Sequence, residues 1–248
     1  MHRRLSYAWF VSRLRDDGVR GSLAAAVPFI TKMVRLWWWD RRHNVSTRHR
    51  VLKADLGVVG RSADHASAYE ATDTTVLSRV LAQLNIGYGD YTFLDLGAGK
   101  GQALFLAAEF PFRRIVGVEL SPALCAIASE NCRTFRSRTQ ACKAIAVTSG
   151  DAADLVFPLE PLVIYLFHSF DDIVLRRVVA HLVESLVVRP RDVWLIYHNP
   201  VHRDVIEASG AFQRLFTGTD ERDFRKLTYD LFHVLPMTQA AVKQAAEP

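Results

Sequence analysis

From Tyr91 onward the chain alternates two kinds of segment, and no other feature constrains its fold as strongly. The runs "YTFLDL", "RIVGVEL", "AIAVTS", "PLVIYLF" and "VWLIYH" are short and almost continuously apolar. A strand with one wet face alternates apolar and polar residues, so near-continuous runs call for strands covered on both faces. Between them lie segments rich in helix formers: "KGQALFLAAEF", then "ALCAIASENCRTF" opened by Ser121 and Pro122, then a helix over about Asp172–Val188. Strand and helix in this alternation build an α/β protein with a Rossmann-like, doubly wound parallel sheet. Such a sheet binds its ligand at the carboxyl ends of the strands. The segments "FQRLF" and "FRKLTYDLFHVL" read as an antiparallel pair at the sheet edge.

With 50% hydrophobic and 23% charged residues, the composition excludes a disordered chain. No apolar run reaches the roughly 18 residues of a membrane-spanning helix. Cys125, Cys132 and Cys142 contain no CxxC pair, which points to a reducing compartment and a cytoplasmic location.

The charge is uneven. Residues 1–53 carry twelve Lys and Arg against three Asp and Glu, while the remainder carries nineteen against twenty-three. This divides the chain into a basic, Trp-rich helical arm over 1–68 and a mildly acidic domain over 69–248. A secretory signal fits the arm poorly, because Leu5–Val11 is short and runs into Arg13, Arg15 and Asp16. In "LAAAVPFITKMVRLWWWD", helical spacing places Phe29, Met33, Leu36 and Trp37 on one face. Thr31, Lys32 and Arg35 fall opposite, with Trp38 and Trp39 at the flanks. A helix docked on the domain is the expected arrangement. An interfacial helix touching a membrane through residues 22–39 is the alternative.

The first strand ends in Asp95-Leu96-Gly97-Ala98-Gly99-Lys100-Gly101 and opens directly into a helix. A P-loop needs Ser or Thr after its Gly-Lys, and Gly101 stands there. A dinucleotide fingerprint needs glycine at 102, where this chain has Gln102, and Asp95 opposes a pyrophosphate at the helix start. A nicotinamide-dependent oxidoreductase is therefore disfavoured. Asp95 suits a ligand with a cation near the loop. Glu119, closing the second strand, suits the two hydroxyls of a ribose. Asp151, after the third strand, suits an exocyclic amine. Together they describe a nucleoside with a cationic tail.

The stretch "FLDLGAGKGQALFLAAEF…RIVGVELSPALCAIASEN…SGDAADL" resembles the class I S-adenosylmethionine-dependent methyltransferases, and more narrowly bacterial members of unassigned substrate. The resemblance runs from about Tyr69 to Leu235. It implies a seven-stranded sheet with an antiparallel last strand and S-adenosylmethionine as cofactor. It further implies Asp95, Gly97, Gly99 and Gly101 around the methionine end, Glu119 on the ribose, and Asp151 and Ala152 along the adenine. Tyr69 and Thr72, in "YEAT", match a segment that folds over the cofactor in similar proteins.

Many amine-directed members carry an N/D-P-P-Y/F stretch after the fourth strand; here the chain reads Leu166-Phe167-His168-Ser169-Phe170-Asp171. His168 takes the place of an expected Asn and is the candidate general base. Asp171 and Asp172 read as helix caps. His198 and His202 have metal-ligand spacing, but Pro200 interrupts the turn and no third ligand is recognisable, so no metal is expected. The acceptor is a small molecule, a lipid or a protein side chain; nucleic acid is not the expected partner. A chain that binds the cofactor without turnover and acts through its arm is the alternative.

Overall fold

The computed structural model describes residues 27, 30–49, 51–52, 56–58, 62–67, 69–71, 75–220 and 226–235. Seven strands form one sheet: β1 (Thr92–Leu96), β2 (Arg114–Glu119), β3 (Ile145–Ser149), β4 (Leu162–Phe167), β5 (Val193–His198), β6 (Phe212–Thr219) and β7 (Thr228–Val234). Their order is β3-β2-β1-β4-β5-β7-β6. β1 to β5 pair in parallel, and β7 runs antiparallel between β5 and β6. The antiparallel strand is thus the penultimate one in space, with β6 outside it. All five residues of β1 are buried, and so are five of the six in β4, as their unbroken apolar runs require.

Helices cover both faces. On one side, α5 (Asp172–Val188) buries Val174, Val178 and Leu182 in a core shared with Leu94 of β1 and Ile164 of β4. On the other, α2 (Val76–Gln83) and α3 (Gln102–Ala107) bury Leu77, Leu81 and Phe105 with Phe93 and Tyr165. α4 (Pro122–Thr134) begins as its sequence dictates: Ser121 Oγ accepts from Leu124 N at 3.3 Å, and Pro122 occupies the first turn. Asp171 caps α5 through Ile173 N and Val174 N. The short α6 (Arg203–Ala208) follows β5.

Within the described part of the arm, a helix over 30–43, α1, packs on the second face. Trp39 lies against His43 and Phe105, and His43 stacks on Phe135 at 5.7 Å. The docked arrangement holds, but the helix is turned differently from the expected face. Leu36 is buried, whereas Trp37 and Trp38 face outward, and Lys32, expected on an exposed cationic face, is 5% exposed. The cause is non-local. Lys32 Nζ meets Glu70 Oε1 at 3.0 Å, and buried Asp40 accepts from Thr47 N at 2.9 Å, Thr47 Oγ1 at 2.6 Å and Arg48 N at 3.1 Å. These polar anchors decide which side turns inward, against the apolar count. Phe29 lies outside the described residues.

Asp40→Ala leaves three buried donors without their acceptor. It is expected to lower the unfolding free energy by about 2–4 kcal/mol, read as a shifted urea midpoint at unchanged slope.

Candidate active site

Because β1 stands between β2 and β4, the sheet changes direction of winding at its carboxyl end, and a crevice opens there. The crevice holds about 850 Å³ of free space, counting its opening to solvent. It is lined by the ends of β1, β2 and β4, by Gly150–Ala152 after β3, and by a strap from Leu56 to Glu70.

The loop after β1 is shaped by glycine. Gly97, Gly99 and Gly101 have φ of +87°, +55° and +88°. A Cβ at Gly97 would lie 2.4 Å from Ser169 Cβ, and one at Gly99 2.2 Å from the Tyr69 ring. The backbone therefore approaches its neighbours as no other residue could. Glu119 ties the loop to the next unit: its Oε2 accepts from Gly99 N at 2.7 Å and its Oε1 from Ser121 N at 2.8 Å. Each oxygen retains a second lone pair for a ligand.

Burial sets the electrostatics. The Asp95 carboxyl is pushed well above the usual range by burial and, second, by the nearby Glu119 charge. Burial also raises Glu119, against the backbone donors that favour its charge. Tyr69 is raised by burial and by Asp40, Asp95 and Glu119, while its hydroxyl donates to Thr47 O at 2.7 Å.

Of the residues singled out in the sequence, Tyr69, Asp95, Gly97, Gly99, Glu119, Asp151 and Ala152 all line this one cavity. Gly101 does not. It stands at the start of α3, where a Cβ would press on Phe105 at 3.2 Å, so its place is helix packing. Thr72 lies outside the described residues. His168 sits on the rim, between the lining residues Phe167 and Ser169, with φ of +40° and its ring 5.8 Å from that of His202. Burial and the His202 charge lower its pKa, so it is neutral at physiological pH.

Several residues were not legible as site residues. Gln102 served above only to exclude a dinucleotide. It is 2% exposed and lines the cavity, and neither its amide oxygen nor its nitrogen has a hydrogen-bond partner among the described residues. A buried amide left so is built for a ligand. Ser62 reaches across from the strap to Asp151 Oδ2 at 2.6 Å, a pairing of residues 89 apart that no local pattern announces. His198 and His202 divide. The Nδ1 of His198 lies 3.2 Å from the Tyr165 hydroxyl and its Nε2 3.7 Å from Asp220 Oδ2, while His202 faces His168. Among the described residues no group of three or more His, Cys, Asp or Glu is placed to hold a metal ion.

The family model described as "Histone methylation protein DOT1" matches residues 62–146, from the strap through the glycine loop and Glu119 into β3. Among solved structures, the glycopeptide N-methyltransferase MtfA complexed with S-adenosylmethionine aligns at a TM-score of 0.50 and 13% identity, over 66% of this chain and 95% of that one. That family model covers about a third of the chain, and the likeness to MtfA is one of fold: the chain has the fold of the class I S-adenosylmethionine-dependent methyltransferases. Other aligned structures are the [4+2]-cyclase SpnF (TM-score 0.49, 15% identity, 70% of this chain, 88% of that one) and magnesium protoporphyrin IX methyltransferase from Synechocystis PCC 6803 with bound S-adenosylmethionine (0.48, 16%, 64%, 76%). No curated protein matches the sequence. At such identities the structural likeness is one of fold. The match to the DOT1 model ends before β4, so the rim at 167–202 lies outside it.

Ionising Asp95 costs more in the folded than in the unfolded protein. Its contribution to stability is therefore full below the ordinary aspartate pKa of about 4 and is lost as pH rises through the elevated folded value. The ligand-free protein is expected to melt higher as pH falls from neutral toward that range. Asp95→Asn should flatten the slope in thermal denaturation at stepped pH. Gly99→Ala, which drives a methyl group into the Tyr69 ring, is expected to abolish measurable cofactor binding in calorimetry.

Proposed function

We propose that this methyltransferase binds S-adenosylmethionine between the strap and the strand ends, and that His168 accepts the proton released by the methyl acceptor. The observation that carries the reading is the unpartnered, buried Gln102 amide lining the same cavity as a buried Asp95, at the end of a loop of three positive-φ glycines. A ligand with both a cation and hydrogen-bonding groups at one end satisfies this set. S-adenosylmethionine supplies a methyl group on a positively charged sulfur.

In this reading Asp95 holds the ammonium, and Gln102 takes the remaining hydrogen bonds of the amino-acid end. Glu119 receives the ribose hydroxyls on its free lone pairs, and Asp151 receives the exocyclic amine with Ala152 beside the ring. Tyr69 and Thr72 cover the ligand; the position of Tyr69 against Gly99 supports its part of this. Alignment of an in-line displacement supplies much of the rate, up to about 7–11 kcal/mol. His168 is neutral, and its Nδ1 is buried without a hydrogen-bond partner among the described residues, as suits a group kept free to take a proton.

The acceptor is a hydroxyl, thiol or amine on a small molecule, a lipid or a protein side chain. The DOT1 description brings a protein lysine into that set. A cytoplasmic location and peripheral contact with a membrane through the N-terminal segment belong to the same reading. Three free thiols support the first, and twelve basic residues against three acidic ones in 1–53 support the second. Among the described residues no helix is long and apolar enough to cross a membrane.

Calorimetry tests the cofactor site. S-adenosylmethionine is expected to bind with micromolar affinity and NAD to give no heat, and Glu119→Ala should weaken binding by about 1–3 kcal/mol. No heat with S-adenosylmethionine in folded protein sinks the residue roles. His168→Ala is expected to bind the cofactor as the wild type does and to lose turnover by about 10²–10⁴-fold. Unchanged turnover removes the base. Binding without turnover in the wild type, across acceptors of all three classes, favours a cofactor-binding protein.

A further inference from the structure

The side of α1 that the body does not cover is its more apolar one. Ile30 is 56% exposed, Val34 49%, Trp37 40% and Trp38 61%. Their spacing of four, three and one places them in a single ridge along the helix. The opposite side is occupied: Lys32, Leu36, Asp40 and His43 are buried against the body. Arg41 lies 5.9 Å from the Trp37 ring centroid at the end of the ridge, and Arg42 beside it is exposed. The Trp37 and Trp38 rings meet edge to face at 5.2 Å, which presents two indoles side by side.

From this arrangement we infer that the ridge Ile30–Val34–Trp37–Trp38, edged by Arg41 and Arg42, docks the protein on an anionic lipid surface. Three properties select that occupant. Paired tryptophans with an apolar stripe behind them match the boundary between headgroups and acyl chains, where an indole keeps one end apolar and one end wet. The arginines stand at the ridge end, where phosphate oxygens accept their hydrogen bonds. In sequence, residues 1–53 carry more than the whole net positive charge, twelve basic against three acidic residues, while the rest of the chain is acidic. A bilayer with anionic headgroups complements the first and repels the second, which orients the molecule with α1 down.

The inference rests on the membrane part of the proposed function and is independent of the methyl transfer. It adds which face does the docking, and that face differs from the one helical periodicity selects. The ridge is also linked to the cavity: on the inner side of the same helix, Lys32 pairs with Glu70, a residue of the cavity lining. Docking therefore holds the strap over a surface that concentrates amphiphilic acceptors.

Co-sedimentation of the full chain with vesicles tests this. Vesicles of phosphatidylglycerol and phosphatidylcholine are expected to pellet the protein, and vesicles of phosphatidylcholine alone to pellet at least tenfold less. The variant I30S/V34S/W37S/W38S changes only exposed side chains. It should keep the wild-type circular dichroism and S-adenosylmethionine affinity while losing at least tenfold in partition to anionic vesicles. Arg41→Glu with Arg42→Glu should weaken binding and reduce its salt dependence. Equal pelleting of wild type and the serine variant, or no pelleting of either, overturns the inference. So does a wild-type dimer, seen by light scattering, that the serine variant dissolves without any vesicle binding; the ridge would then be a contact between copies. Cofactor affinity, measured on the same samples, reports separately on the proposed active site.

Discussion

The carboxylate of Glu119 is the clasp on which the cofactor end of this molecule depends. One oxygen holds the amide of Gly99 and the other the amide of Ser121, so a single side chain closes the loop after β1 against the turn into α4. That carboxylate is desolvated, and its two backbone donors are what make the ionised form tolerable there. The geometry it fixes is one only glycine tolerates. With Gly97 against Ser169 and Gly99 against the Tyr69 ring, the loop is pressed from both sides by segments more than twenty residues distant. The nucleoside reading of Glu119 adds ligand bonds to a group the fold already needs, so substitutions there test binding and architecture together. Asp95 is cleaner in this respect: burial first and the Glu119 charge second set it against its own charge, and a cationic ligand opposes both.

What was legible followed from periodicity and from strand ends. The apolar runs of β1, β4 and β5 are buried on both faces and paired in parallel, because such runs have no polar side to show to water. Ser121–Pro122 and Asp171 cap α4 and α5 because their chemistry acts within three residues. Asp95, Glu119 and Asp151 converge because successive strands of a parallel sheet end on one rim. The failures share a cause as well. The orientation of α1 was misread because Glu70, Thr47 and Arg48 hold Lys32 and Asp40 inward, and a helical wheel contains none of those partners. Gly101 fits a glycine-loop pattern, but backbone direction turns it away from the cavity toward Phe105. Gln102 was legible only as an exception to another motif, since its importance lies in what its amide lacks.

The rim at the ends of β4 and β5 has a different physical character. His168 and Asn199, each one residue beyond the adjacent strands β4 and β5, both have positive φ, at +40° and +53°. Neither is glycine, and strain of this kind is held only where the surroundings over-determine it. Behind the rim a buried phenol, imidazole and carboxylate follow one another through Tyr165, His198 and Asp220, with Phe167 stacked on His198 at 4.3 Å. Tyr165 also lines the cavity, so this polar chain reaches from the cavity floor to the end of β6. Strained backbone above this buried, stacked polar chain favours a rigid rim, which an in-line displacement requires.

The arm and the cofactor loop are mechanically one unit. Lys100, inside the glycine loop, donates to His49 O at 2.8 Å and lies 5.3 Å from the Tyr69 ring centroid. Tyr69 in turn donates to Thr47 O, and Thr47 is held by Asp40 of α1. On the other side of the same loop, Asn131 of α4 donates to Lys100 O at 2.9 Å and accepts from Ser46 N at 2.9 Å. The segment 43–49 is therefore wedged between α1 and the loop, bonded to both. A force on α1 reaches Gly99 through three hydrogen bonds and one ring contact, with no exposed or solvent-screened link between them. Hydrogen bonds thus run across the change of charge and composition near residue 68, from α1 through the segment 43–49 to Tyr69 and Lys100, and a displacement of α1 bears directly on the geometry of the cavity.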